Sequence, residues 1–174
     1  MVKKILFIII ASFIVSCGSS KKVVKKTSTK RNTVTRKKTT KKTTQASLAD
    51  KIVWSAVSYK GTPYKYAGTS KKGMDCSGLI YISFKARNVL VPRSSSLLYK
   101  EGYKIPLSRA KRGDLLFFKT TRKTRSKINH VALVTSVDNG VVKFIHATSS
   151  RGVIVSAMTE SYWRKSFVEA KRVL

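Results

Sequence analysis

The part of this chain that most restricts its fold is a pair of β-rich runs joined by Asp138-Asn139-Gly140. The runs cover residues 130–137 and 141–147 and are dominated by Val and other residues that favour strands. An Asn-Gly pair between two such runs is a strong signal for a β-hairpin. Helical patterns come before the hairpin and most strand-like runs come late. This order predicts an α+β fold with helices packed on a largely antiparallel sheet.

Local signals place the remaining elements. Ser47 precedes Asp50 by three residues, which resembles a capping box at the start of a helix, and Gly61 is expected to stop that helix. Asn88 is able to end a second helix in a left-handed conformation. We predict helices from about 47 to 60 and from 76 to 87, a short helical piece at 97–101, and strands at 115–118, 153–155 and 167–173.

A thiol lies at the predicted start of the second helix, in Asp75-Cys76-Ser77-Gly78. Asp75 fits the N-cap position. The positive end of a helix dipole stabilises a thiolate, so we expect the pKa of Cys76 to be lowered. A thiolate there would be a nucleophile that needs a base.

The chain has two histidines, His130 and His146, and each lies on a strand of the predicted hairpin. Each alone is more typical of an ordinary core or surface imidazole. A three-residue turn over 138–140 would place His146 opposite Ala132 and on the same face as His130. A two-residue turn over Asn139-Gly140 would put the two rings on opposite faces. We predict the three-residue turn, with both histidines serving Cys76.

The N-terminus resembles an export signal. Lys3 and Lys4 precede an apolar run over 5–15, which is too short to span a bilayer core of about 30 Å as a helix. Ile14-Val15-Ser16-Cys17 resembles a bacterial lipobox, in which the cysteine is lipidated. We interpret residues 1–16 as a lipoprotein signal peptide and Cys17 as the lipidated residue, with an ordinary signal peptide as the alternative. Lipidation would leave Cys76 without a disulfide partner in the chain.

Charge is extreme and uneven along the chain, which has 37 Lys and Arg residues against 7 Asp and Glu. Residues 18–46 carry eleven basic residues and no acidic one, with no aromatic residue. Such a segment is typical of disorder, and we interpret residues 17–46 as a lipidated cysteine followed by a basic tether. We expect it to contact anionic lipids, and the alternative is a plain spacer. Export and the absence of aromatic residues argue against nucleic acid as the partner.

Residues 47–174 resemble the NlpC family of cell-wall peptidases, a papain-like group. The motifs that carry this resemblance are Gly61-Thr62-Pro63-Tyr64, Asp75-Cys76-Ser77-Gly78, Pro92-Arg93-Ser94-Ser95, Gly113-Asp114-Leu115, His130-Val131-Ala132-Leu133 and Phe144-Ile145-His146-Ala147. Their order and rough spacing match over nearly the whole domain.

The resemblance implies a papain-like fold and hydrolysis of peptide bonds in peptidoglycan stems. It implies that Cys76 is the nucleophile, that His130 is the base and that His146 orients His130. Tyr64 matches a tyrosine beside the nucleophile, whose hydroxyl can hydrogen-bond in the site. Asp75 and Ser77 flank the nucleophile and are expected either to contact substrate or simply to cap the helix.

Two departures concern the substrate-binding part of the site. The family often has Gly-Gly after the aromatic pair, where this chain has Ala67-Gly68. A Gln often follows the Pro-Arg-Ser motif, where this chain has Leu97 and Leu98.

The leading hypothesis is therefore a lipid-anchored, monomeric murein endopeptidase in the bacterial envelope, on the periplasmic side of the outer membrane. It needs no cofactor and no metal; a zinc site built from the histidines and Cys76 is a minor alternative. The competing hypothesis is a non-catalytic lipoprotein that binds the cell wall or another polyanion through its positive charge. The sequence leaves open which stem-peptide bond is cut.

Overall fold

The fold is built on an antiparallel sheet with helices packed against one face. The computed structural model describes residues 46–121 and 125–174. Its helices are α1 (Leu48–Val57), α2 (Cys76–Lys85), α3 (Ser95–Leu98) and α4 (Ser161–Ser166), with a 3₁₀ turn at Leu107–Arg109. Its strands are β1 (Thr69–Ser70), β2 (Gly73–Met74), β3 (Tyr103–Ile105), β4 (Leu115–Phe118), β5 (His130–Asp138), β6 (Val141–Thr148), β7 (Gly152–Ala157) and β8 (Phe167–Arg172).

Six of these strands form one sheet in the order β3-β8-β4-β5-β6-β7, and β1 pairs with β2 in a separate ribbon. Every strand pair in the described part of the chain is antiparallel. The predicted α+β class with a largely antiparallel sheet is confirmed. Short β3 and α4 had not been predicted, because three or six residues carry too little periodicity to be recognised.

The helix signals in the sequence are borne out. The Ser47 hydroxyl accepts a hydrogen bond from the Asp50 N–H at 3.1 Å, and the Asp50 carboxylate accepts one from the Ser47 N–H at 3.1 Å. Helix α1 ends at Val57, and the following turn reaches Gly61, which has a φ of 85°. Asn88 has a φ of 58° just beyond α2, as its left-handed role predicts.

The sheet separates two apolar clusters, because successive side chains along a strand point to opposite faces. On one face, Val131 and Leu133 of β5 pack in a cluster with residues of α1 and α2. On the other face, Ala132 and Val134 of the same strand belong to a second cluster that includes Trp163 of α4. The nucleophile helix therefore packs on one face of the sheet, and α4 covers part of the other.

The β5–β6 hairpin differs from the prediction in its turn. Asp138 lies opposite Val141, so the turn consists of Asn139 and Gly140, with φ of 49° and 79°. The predicted three-residue turn is wrong. Two consecutive positive φ values are typical of a type I′ turn, whose twist matches that of the flanking strands.

A β-bulge further along the hairpin restores the register that the prediction required. Ser136 lies opposite Lys143 and Val134 opposite Phe144, so Thr135 has no partner in β6. The extra residue shifts the pairing by one. Leu133 then lies opposite Ile145, and the same register places His146 across from Ala132, on the face that carries His130. The prediction that both histidines share a face holds, although a bulge and not the turn produces it.

The predictions for residues 1–45, including the signal peptide, Cys17 and the basic tether, lie outside the described residues. Within residues 46–121 and 125–174, no helix has the length and apolar character needed to cross a membrane.

Candidate active site

Cys76 is the first residue of α2 and lies where the start of this helix meets the start of β5. The Asp75 carboxylate caps the helix by accepting a hydrogen bond from the Gly78 N–H at 2.6 Å. The sulfur receives hydrogen bonds from the backbone N–H groups of Val131, Ser77 and Cys76 itself. The residue after His130 thus touches the thiol, which places base and nucleophile candidates side by side.

The expected lowering of the thiol pKa is wrong for this site. Burial raises the pKa of Cys76, and the negative charge of Asp75 acts in the same direction. The backbone N–H donors at the helix start oppose this effect without overcoming it. The resting nucleophile is therefore a neutral thiol, which has to lose its proton as it reacts.

A hydrogen-bonded chain runs from His130 into the interior. His130 Nε2 lies 3.0 Å from His146 Nδ1, and His146 Nε2 lies 3.2 Å from the Ser156 hydroxyl. If His130 Nε2 donates to His146 and His146 Nε2 donates to Ser156, every nitrogen of this chain is used once. That pair of tautomers leaves Nδ1 of His130 as a free acceptor, which is what a base for the thiol requires.

Both imidazoles are neutral at physiological pH. Burial lowers the pKa of His130 from 6.5 to about 4. Burial also lowers the pKa of His146 to about 3, with additional contributions from His130 and the positive charge of Arg151. A neutral His130 beside a neutral thiol is a general base waiting for substrate, not half of a preformed ion pair.

Trp163 of α4 holds both histidine rings in place. Its indole stacks on His130 with a centroid distance of 5.5 Å and an interplanar angle of 23°. It meets His146 edge-on at 4.5 Å and 86°. The indole is only 4% exposed, so it also shields the hydrogen bond between the histidines from water. Its face is favourable to the cation that forms when His130 takes a proton.

Arg93 organises the loop beside the nucleophile. Its guanidinium binds the Asp75 carboxylate through both oxygens, at 2.9 and 3.1 Å, and donates to the Ser77 hydroxyl at 2.9 Å. Although burial alone would raise it, Arg93 and the Gly78 N–H hold the pKa of Asp75 below its usual range. Asp75 and Ser77 are therefore engaged in capping and internal pairing, and their contact with substrate stays a prediction.

The same region explains the glycine that follows Ser77. A Cβ at Gly78 would lie 2.1 Å from the Gly68 carbonyl oxygen. That oxygen accepts a hydrogen bond from Arg93 at 3.1 Å. Only glycine allows the loop to pack this closely on the helix start, so the Asp-Cys-Ser-Gly motif has a steric requirement besides its chemistry.

The nucleophile lies between two cavities. One, of about 420 Å³, is lined by Cys76, His130, Trp163, Arg151 and Glu160 among others. The second, of about 460 Å³, is lined by Cys76 and the Arg93 network.

Tyr64 lines both cavities, where the resemblance places it. Burial raises the pKa of Tyr64, as do the neighbouring Cys76 and Asp75. Its hydroxyl therefore stays protonated and is available as a donor in the site.

Three site residues had no assigned role in the sequence: Ser156, Trp163 and Arg93. Arg93 lies in a motif that the resemblance had marked, so a role for it was within reach. Ser156 and Trp163 belong to no recognised motif, and only the folded chain brings them to the histidines. Within the described ranges, no group of three His, Cys, Asp or Glu side chains is arranged to hold a metal ion.

Comparison with known proteins identifies the family of this arrangement. Residues 61–172 match the NlpC/P60 family, and the chain belongs to that family. The Escherichia coli K12 protein described as murein DD-endopeptidase MepS/murein LD-carboxypeptidase is 36% identical over 125 residues, which cover 71% of this chain and 62% of that protein. The chain thus spans less than two thirds of that relative.

Solved structures agree with this family. A protein from Staphylococcus aureus, described as similar to lipoprotein and of the NLP/P60 family, has a TM-score of 0.63 at 30% identity, with 72% of this chain and 41% of that chain covered. RipD from Mycobacterium tuberculosis, described as a non-catalytic NlpC/p60 domain protein adapted to peptidoglycan binding, has a TM-score of 0.58 at 25% identity, with 75% of this chain and 100% of that chain covered.

Proposed function

We propose that this protein is a cysteine endopeptidase that hydrolyses peptide bonds in the stem peptides or crosslinks of peptidoglycan. The observation that carries the proposal is the chain of hydrogen bonds from His130 through His146 to Ser156, which begins in the cavity lined by the Cys76 thiol. A nucleophile, a base and a group that orients the base are the parts that acyl transfer requires. The murein endopeptidase named among the relatives supports peptidoglycan as the substrate.

In the proposed mechanism, His130 Nδ1 accepts the thiol proton as the sulfur of Cys76 attacks the carbonyl carbon. His146 keeps His130 in the tautomer that accepts this proton, and Trp163 stacks on the imidazolium that results. The proton then passes to the leaving amine, and the peptide C–N bond breaks to leave a thioester on Cys76. Water activated by His130 hydrolyses the thioester and restores the thiol.

The N-terminal segment supplies the proposed location. Export by residues 1–16 and lipidation of Cys17 would anchor the protein to a membrane of the cell envelope, and we place it in the outer membrane facing the periplasm. Residues 18–46 would span roughly 30 Å as a flexible coil and would hold the 47–174 domain away from the bilayer. Their charge favours anionic lipids as neighbours. We expect the domain to act as a monomer.

Replacing Cys76 with Ala tests the catalytic proposal. Digestion of purified murein by the variant should fall by about 10³-fold or more, because the thioester has no sulfur on which to form. Mass spectrometry of the soluble fragments would also identify the bond that the wild-type protein cuts. The melting temperature serves as the folding control. Undiminished digestion by a folded Cys76→Ala protein would refute the mechanism.

A non-catalytic wall-binding role is the alternative, and the description of RipD supports it for one member of this family. The excess of basic residues in 47–174, 24 against 7 acidic, also suits binding to an anionic polymer. This alternative predicts that the wild-type protein and the Cys76→Ala variant bind murein equally and release no fragments.

A further inference from the structure

The two cavities beside Cys76 differ in how their charges are used. In the cavity that holds Arg93, the guanidinium and the Asp75 carboxylate satisfy each other through two hydrogen bonds. In the cavity that holds His130, Arg151 and Glu160 bring opposite charges, and neither forms an ion pair within the described residues. Five of the seven acidic residues form ion pairs, which makes Glu160 an exception in a strongly basic chain.

Both side chains stand on well-ordered backbone. Arg151 lies in the turn between β6 and β7, where its N–H donates to the Thr148 hydroxyl at 3.1 Å. Glu160 precedes α4, and its carboxylate accepts a hydrogen bond from the Ala157 N–H at 2.8 Å. That bond engages one oxygen, Oε1. The charge of Arg151 reaches the site, because it contributes to the lowered pKa of His146.

We propose that Arg151 and Glu160 determine specificity by binding a substrate residue whose side chain ends in both a free carboxylate and a free amine. The planar guanidinium of Arg151 suits the carboxylate, and the free oxygen of Glu160 suits the ammonium group. A diamino dicarboxylic acid within a peptide has this chemistry. The cavity volume of about 420 Å³ falls within the usual range of ligand pockets, roughly 300–1,000 Å³. The inference rests on the proposed function, since that function places the scissile bond at Cys76.

Three synthetic stem peptides test the inference: one with the diamino dicarboxylic side chain free, one with its carboxylate converted to an amide, and one with its amine acetylated. The wild-type protein should cleave the free form about tenfold faster than either modified form, measured as kcat/KM, because each modification removes one charged hydrogen bond. Arg151→Gln should lose about tenfold on the free form and little on the amidated form. Glu160→Gln should lose about tenfold on the free form and little on the acetylated form.

Matched variants control for the loss of charge alone. Arg164 is an exposed residue of α4 outside the cavity lining, and Glu101 is an exposed acid without an ion pair in the described part of the chain. Arg164→Gln and Glu101→Gln should leave the ratios among the three peptides unchanged. Equal ratios in wild-type, Arg151→Gln and Glu160→Gln proteins would overturn the inference while leaving the peptidase function intact.

Binding separates this inference from the peptidase function. In the Cys76→Ala protein, calorimetric titration should give about tenfold tighter binding of the free peptide than of the amidated or acetylated one. This preference should disappear when Arg151→Gln or Glu160→Gln, respectively, is added. If the wild-type protein cleaves none of the peptides but this preference is observed, the proposed peptidase fails and the charged site stands. Equal binding of all three peptides would refute the site.

Discussion

At the scale of single residues, burial decides the chemistry of the site. His130 and His146 are buried between the sheet and Trp163, and the resulting low pKa values keep both rings neutral. The same burial raises the pKa of Cys76. A neutral thiol next to a neutral base favours proton transfer coupled to attack, so that charge develops only when substrate fills the cleft.

Ala67 shows a different residue-scale effect, a conformation that its side chain opposes. Its φ is 58°, and its N–H donates to the Asp75 carboxylate at 2.8 Å. A left-handed conformation costs a residue with a Cβ about 1–2 kcal/mol. The resemblance marked this position as one where the family often has glycine, and the backbone supplies the reason.

We therefore expect Ala67→Gly to stabilise the protein by about 0.5–1 kcal/mol, the relieved strain less the extra freedom of glycine in the unfolded chain. Urea unfolding followed by circular dichroism measures the change. Ala86→Gly is the matched control, because Ala86 is exposed and has an ordinary helical φ of −62°. It should destabilise by about 0.5–1 kcal/mol. Destabilisation by Ala67→Gly as well would contradict this account.

At the scale of elements, the bulge at Thr135 aligns the two histidines. The Thr135 carbonyl accepts a hydrogen bond from the Arg112 guanidinium. The same side chain donates to the Asp50 carboxylate of α1 at 2.7 Å. Arg112 therefore ties the bulge of β5 to the capping box of α1, and the register of the hairpin depends on a contact far along the chain.

Replacing Arg112 with Leu should destabilise the protein by about 1–2 kcal/mol, because a partly buried carbonyl and a carboxylate both lose their donor. We expect kcat/KM on murein fragments to fall as well, since the spacing of the His130–His146 hydrogen bond depends on the bulge. Lys143→Leu removes the partly exposed ion pair with Asp138 on the same hairpin and should cost less than about 0.5 kcal/mol. Equal effects of the two substitutions would show that Arg112 has no special role.

At the scale of the whole molecule, the buried histidines link stability to pH. In the unfolded chain each histidine takes up a proton as the pH falls through about 6.5, whereas in the folded protein the pKa of His130 is about 4 and that of His146 about 3. The unfolded state therefore binds more protons below pH 6.5. The stability contributed by these neutral rings is fully present above pH 6.5 and is lost as the pH falls.

Between pH 6 and 5, the free energy of unfolding should decrease by up to about 1.4 kcal/mol per pH unit for each histidine. Denaturant unfolding at several pH values measures this slope, in a window above the range where the carboxylates titrate. His146→Gln removes one of the two groups and should reduce the slope by about half. A slope that His146→Gln leaves unchanged would contradict the assignment.

The sequence by itself determined the elements whose signals are local. The capping box at Ser47, the left-handed Asn88, the strand at Leu115–Phe118 and the thiol at the start of α2 follow from residues close together in the chain. The motifs then identified the family, because their order and spacing extend over most of the domain. These features do not depend on distant contacts, so they could be predicted.

Only the tertiary structure decided how the parts of the site meet. The hairpin signal was strong, but the residue at which the ladder skips is set by Arg112 and α1, which no hairpin pattern contains. Ser156 and Trp163 reach the histidines from β7 and α4, elements that short-range patterns describe poorly. The helix start predicted a lowered thiol pKa, and burial reversed it, because desolvation depends on everything packed around the sulfur and not on its neighbours in sequence.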